Sequence, residues 1–162
     1  MDVSDVIKKL DLMPMSIEGG YFRETYRCEI TANTTMPHSA GTLIYYLLSG
    51  KDRSAWHKVN FDEVWIYNAG VPAVQMLLFP DGKIEERIIG PDIEAGHQPQ
   101  SIIPANTWQA AIIMDKDADA WGLFSAVVIP GFENSDFTLG NSFELLTEYP
   151  YAKERMEELN LI

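Results

Sequence analysis

The chain has 162 residues, 12 of them Lys or Arg and 24 Asp or Glu, for a formal net charge of −12. A field of that sign repels phosphate backbones and anionic lipid, so neither nucleic acid nor a membrane surface is an expected partner. With 46% hydrophobic and 22% charged residues, the composition is that of one globular domain spanning residues 1–162 and able to bury a core. The single cysteine, Cys28, permits no intramolecular disulfide. Met1 to Leu12 carries Asp2, Asp5 and Asp11 rather than a basic-then-apolar signal pattern, and no stretch reaches the roughly 18 apolar residues of a membrane helix. A reducing, cytoplasmic location is therefore expected.

Val3, Val6, Ile7 and Leu10 fall at helical spacing, with Asp2 or Ser4 available as the N-cap, so a short helix is expected over about 3–12, ended by Pro14. After Gly19-Gly20 the period changes. Tyr21 to Cys28 reads as a strand with Tyr21, Arg23, Thr25 and Arg27 on one face, and residues 31–41 read as a loop. Thr42 to Ser49 is a strongly apolar strand, and Gly50 to Arg53 turns it into the stretch from Ser54 to Gly70. That stretch packs His57, Glu63, Trp56, Trp65 and Tyr67 into a strand–turn–strand pattern. Glu63, Trp65 and Tyr67 alternate with Val64, Ile66 and Asn68, and a turn at Asn60-Phe61-Asp62 would let His57 and Glu63 point the same way.

Further strands are expected at Ala73 to Phe79 and Ile84 to Ile89, joined by Pro80-Asp81-Gly82-Lys83. Others follow at Ser101 to Pro104, Trp108 to Met114 and Trp121 to Ile129. Pro150 sits where a helix over about 150–160 could start. About eight to ten short strands between two helices, with the barrel over about 18–148, make an all-β sandwich or barrel. His38 and His97 lie in loop-like segments and are read as surface residues.

The spacing His57-x5-Glu63-x6-Gly70 resembles the first motif of the cupin superfamily, and Pro104-x-Asn106-x2-Gln109 resembles a degenerate second motif. The chain is identified as resembling the cupin family labelled DUF985, or Cupin_5. The match rests on Glu18 to Arg27, Leu43 to Leu48, Trp56-His57-x5-Glu63-x-Trp65, Ile103 to Ala111, and Val128 to Phe132 with Phe137. The resemblance implies a double-stranded β-helix, the jelly-roll barrel. It also implies a site on the inner face, where metal-binding cupins use three histidines and a glutamate. Here those positions hold His57, Val59, Gln109 and Glu63, so His57, Glu63 and Gln109 are the candidate ligands of a divalent metal.

Two functions stay open. The first is small-molecule binding, with Trp56, Trp65, Trp108 and Phe132 as stacking surfaces, Ser54, Gln75 and Gln109 as polar groups, and Arg23 as an anchor for a carboxylate or phosphate. The second is an enzyme using a His57–Glu63 acid–base pair, with Tyr67 or Tyr21 as acid and Arg23 and Arg27 holding phosphate. That reading resembles the sugar-nucleotide epimerases and makes the ligand nucleotide- or sugar-like. A weakly metal-dependent enzyme is its variant. A homodimer is expected, with the strand at Tyr21 to Cys28 as a candidate to cross to the partner.

Overall fold

A computed structural model describes residues 1–162. Helix α1 (Val3–Leu10) is capped by Asp2, whose side chain accepts from the Asp5 amide. It stops before Pro14, because Asp11 turns left-handed and the Leu12 amide reaches back to the Ile7 carbonyl. Thirteen strands follow: β1 (Met13–Pro14), β2 (Tyr21–Arg27), β3 (Thr31–Ala32), β4 (His38–Ser39), β5 (Thr42–Ser49), β6 (Ser54–Val59), β7 (Asp62–Gly70), β8 (Ala73–Leu78), β9 (Ile84–Ile89), β10 (Gln100–Ile103), β11 (Trp108–Ile113), β12 (Trp121–Ile129) and β13 (Phe137–Leu139). Two helices close the chain, α2 (Ser142–Glu148) and α3 (Lys153–Glu158).

The long strands form two antiparallel sheets, ordered β1-β2-β5-β12-β7-β10 and β13-β6-β11-β8-β9. β6 and β7 lie in different sheets, so the strand–turn–strand stretch is not a hairpin. The corner at Asn60-Phe61 carries the chain from one sheet to the other, and His57 and Glu63 face the interior from opposite walls. β8 shows why its sequence is apolar throughout. Ala73 and Leu77 face the barrel interior, while Val74, Met76 and Leu78 pack beneath the C-terminal helices.

The core is accordingly layered. Tyr46, Leu48, Trp65, Leu77 and Phe124 fill the barrel. Trp56, Met76, Leu145, Tyr149 and Met156 form a second cluster between the five-stranded sheet and the helices. At about 1.5–3 kcal/mol for each large apolar side chain removed from water, that second cluster is enough to dock the short helices. The C-terminal expectation needs correcting. α2 occupies residues placed in the barrel, started by Asn141, whose side chain accepts from the Phe143 and Glu144 amides. α3 begins only after a single turn at Pro150–Ala152.

β2 pairs with β5 of its own chain over Tyr21↔Leu47 to Arg27↔Thr42. Within residues 31–41, β3 and β4 form a short ladder that turns His38 inward. His38 is buried, not on the surface. Its Nε2 lies 3.0 Å from Asp136 Oδ2, its Nδ1 lies 2.7 Å from the Met36 carbonyl, and Phe61 packs edge-on against the ring. His97 stays at the loop position expected of it, its Nδ1 accepting from the Asp92 amide at 3.3 Å.

Candidate functional site

One end of the barrel holds a cavity of roughly 450 Å³ lined by residues of β2, β5, β6, β7 and β12, by the loop before β2 and by the segment before β13. His57, Glu63 and Glu18 face it from three different directions. Each is positioned by a separate device of the backbone.

β6 carries a bulge. Gln109 pairs with His57 and Ala111 with Ser54, so β6 spends one more residue than β11 over the same span. Strict alternation would turn Ser54 and His57 to opposite faces, and the bulge turns both inward. His57 Nδ1 lies 2.7 Å from the Ala55 carbonyl, which can only accept, so Nδ1 carries the proton. The other nitrogen, Nε2, points toward Glu18, 3.8 Å from its Oε1, beyond hydrogen-bonding reach. The ring is 5.2 Å from that of Phe137 and nearly parallel to it.

Glu18 comes from the loop between β1 and β2. The loop closes on itself through Met15 N–H to Gly20 O and Gly19 N–H to Met15 O, and docks on β6 through Ala55 N–H to Glu18 O. Gly19 has φ +105°, and a Cβ there would sit 2.2 Å from the Arg53 carbonyl oxygen. Only glycine lets the loop approach β6 this closely. The Glu18 carboxylate then accepts from the Ser54 hydroxyl at 2.6 Å.

Glu63 enters from β7 and accepts from the side-chain amide of Gln109 at 2.5 Å. Burial raises its pKa above the ordinary value, and the Glu18 charge adds to the effect, while His57, Gln109 and the nearby Trp65 N–H oppose it. Trp65 Nε1 and Gln109 Oε1 are buried without a formed hydrogen bond of their own.

Of the remaining expected site residues, Phe132 lines the cavity and Ser54 holds Glu18. Trp65 sits in the barrel core against Tyr46 and Phe124. Gln75 is buried and accepts from Ser101 Oγ at 2.6 Å, away from the cavity lining. The others are turned elsewhere. Trp56 faces the C-terminal helices, donating to the Leu161 carbonyl at 2.7 Å, because it lies next to His57 and takes the opposite face. Trp108 packs on the same outer side beneath Lys58.

Tyr67 shares the inward face of β7 but lies about 13 Å along the strand from Glu63, and its hydroxyl donates to the Gly70 carbonyl at 2.7 Å. Tyr21 packs against α1 and Leu47, outside the barrel. Arg23 points away from the cavity and stacks on Tyr45, since Phe22 and Glu24 take the inward positions of β2. Arg27 reaches the rim after a bulge in β2, but its guanidinium is held by Glu24, Glu133 and the Phe132 carbonyl. An acid–base partnership of His57 with Tyr67, and a phosphate clamp from Arg23, are therefore not assembled.

Glu18 is the site residue that sequence reasoning passed over. Its signal was a carboxylate directly before a glycine pair at the entrance to a strand.

The donor set does not fit the implied metal. Gln109 turns its amide N–H, a donor, toward Glu63, and no group of three or more His, Cys, Asp or Glu side chains is placed to hold a metal ion.

Two facing antiparallel sheets enclosing a cavity at one end define a cupin-type jelly roll. The chain belongs to the Cupin_5 family of the cupin superfamily (DUF985), whose profile matches residues 4–140. It is 29% identical over 134 residues to the uncharacterised Saccharomyces cerevisiae protein YML079W, covering 75% of this chain and 67% of that one. The solved structure of Shewanella oneidensis protein SO0799 superposes with a TM-score of 0.86 at 30% identity, covering 98% of this chain and 97% of that chain. A hypothetical protein from Leishmania major gives 0.88 at 25% identity, covering 98% of both chains. Bacillus subtilis oxalate decarboxylase shares the fold, with a TM-score of 0.58 at 14% identity, covering 93% of this chain and 37% of that one.

Proposed function

We propose that this protein binds a small organic molecule in the barrel cavity, between Glu18, His57 and Glu63 at one end and an apolar wall at the other. The observation that carries the reading is the cavity itself. At roughly 450 Å³ it falls in the range of small-molecule sites, and its convergent polar groups sit among Phe22, Ile44, Val128, Phe132 and Phe137. Holding Glu63 there works against folding, since burial disfavours its charged form, and such a cost is characteristic of a functional site.

The test is native mass spectrometry of the purified protein against its denatured mass, joined to a thermal-shift screen of small molecules. A retained or screened compound whose binding is lost in Val128→Trp, which fills the cavity, is the expected result. A screen in which no compound raises the melting temperature would remove the reading.

A second reading has one observation in its favour. With Nδ1–H committed to Ala55, the neutral imidazole presents the lone pair of Nε2 to the cavity, as a general base requires. Turnover of a bound ligand would then depend on His57 and survive chelating agents. We likewise infer a homodimer through the outer edge of β2, where β1 covers only Tyr21 and Phe22 and Tyr26 is 57% exposed. Sedimentation as a monomer would contradict it.

A further inference from the structure

Resting on the cavity as a ligand site, we propose that its ligand is an organic cation: a protonated amine on a compact apolar or aromatic body. No lysine or arginine lines the cavity, whereas Glu18, Glu24 and Glu63 all do. Glu24 is matched by Arg27, at 2.8 and 2.9 Å. Glu18 and Glu63 are held only by neutral donors, Ser54 and Gln109. Two carboxylates in a largely apolar enclosure, with His57 Nε2, 3.8 Å from Glu18, the one group beside them able to take up a positive charge, leave a net negative potential that an entering cation would relieve.

The hydrogen-bond inventory at that end points the same way. The acceptors on the lining are both carboxylates and, in the neutral ring, His57 Nε2, while behind Glu63 the buried Gln109 Oε1 has no partner. The Ser54 and Gln109 donors are already engaged, which leaves Trp65 N–H beside Glu63 as the donor without a bond of its own. An ammonium group brings three donors and a positive charge to a site rich in acceptors. The body of the ligand would meet Phe22, Phe132 and Phe137, whose ring faces also favour a nearby cation. The chain's net charge of −12 would draw such a ligand in and repel an anionic one.

Calorimetric titration at neutral pH with three probes of similar body decides it: 2-phenylethylamine, 2-phenylethanol and 3-phenylpropionate. The amine should bind about tenfold or more tighter than the alcohol, with the acid weakest. Glu18→Gln and Glu63→Gln should each weaken the amine by about tenfold while leaving the alcohol within about twofold. Val128→Trp should abolish all binding. Equal binding of the three probes, tighter binding of the acid, or an amine affinity unmoved by both Gln variants would overturn the cation and leave the cavity reading intact. No binding of any probe at millimolar concentration, or binding that survives Val128→Trp, would count against both.

Discussion

Glu63→Gln should make this protein more stable, and increasingly so as the pH rises. The carboxyl is enclosed, and its pKa stands above the ordinary glutamate value of 4.5, chiefly through burial. A carboxyl that binds its proton more tightly in the folded state contributes stability below the unfolded pKa. That contribution is lost as the pH climbs through the folded value. As the pH rises the wild type therefore meets the growing cost of ionising a buried carboxyl, which Gln109 only partly compensates. In the Glu63→Gln variant the new side-chain carbonyl can still accept from Gln109, so a neutral hydrogen bond, worth about 1 kcal/mol, is kept. What disappears is the uncompensated part of the burial cost, about 1–3 kcal/mol. At this chain length each kcal/mol moves the melting temperature by about 2–4 °C.

Urea unfolding at a series of pH values between about 4.5 and 8 measures the effect directly. The gap between variant and wild type should be near zero at the acid end and widen toward the alkaline end, with unchanged m-values. A variant less stable than wild type by the same amount at every pH would refute the argument. It would show that Glu63 is a fully compensated structural group rather than a strained one kept for binding.

Gln109→Leu removes the only side-chain donor bonded to Glu63, so it should cost about 1.5–3 kcal/mol in urea unfolding, more at pH 8 than at pH 5. Gly19→Ala forces a Cβ against the Arg53 carbonyl at a backbone angle that L residues avoid. It should cost about 2 kcal/mol or more in the same assay and, by displacing Glu18, weaken amine binding measured by calorimetry. His38 has its pKa raised, first by the Met36 carbonyl and then by Asp136. Its contribution is therefore present below the unfolded histidine value and fades as the pH rises through the folded one, so His38→Gln should flatten the stability profile around neutrality. Trp56→Phe removes the hydrogen bond to Leu161, and limited proteolysis should then release the C-terminal residues sooner.

Strand existence was legible where a strand-length apolar run is bounded by turn residues. The strands at Thr42–Ser49, Trp108–Ile113 and Trp121–Ile129 fall where their apolar runs place them. Phe132 was readable as a lining residue from its aromatic ring, and it lines the cavity. The tryptophans were less tractable. Trp56 and Trp65 both read as pocket aromatics, yet one faces helices outside the barrel and the other its core; β6, which carries Trp56, is covered on both faces and has no polar side to mark its orientation. The second C-terminal helix was hidden for a similar reason, because Phe143, Leu145 and Leu146 suit strand or helix alike until Asn141 is seen to cap them.

By itself the sequence determined an acidic, all-β jelly roll of the cupin superfamily and singled out His57 and Glu63, because periodicity, turn residues and motif spacing are local properties of a chain. Tertiary structure decided how those residues meet. His57 and Glu63 approach from different sheets, Ser54 and His57 share a face only through a bulge, and Glu18 arrives on a loop whose glycine must avoid the Arg53 carbonyl. Each of these depends on contacts between segments far apart in the chain. No window of neighbouring residues holds the information, and the site exists only once the two sheets have closed around it.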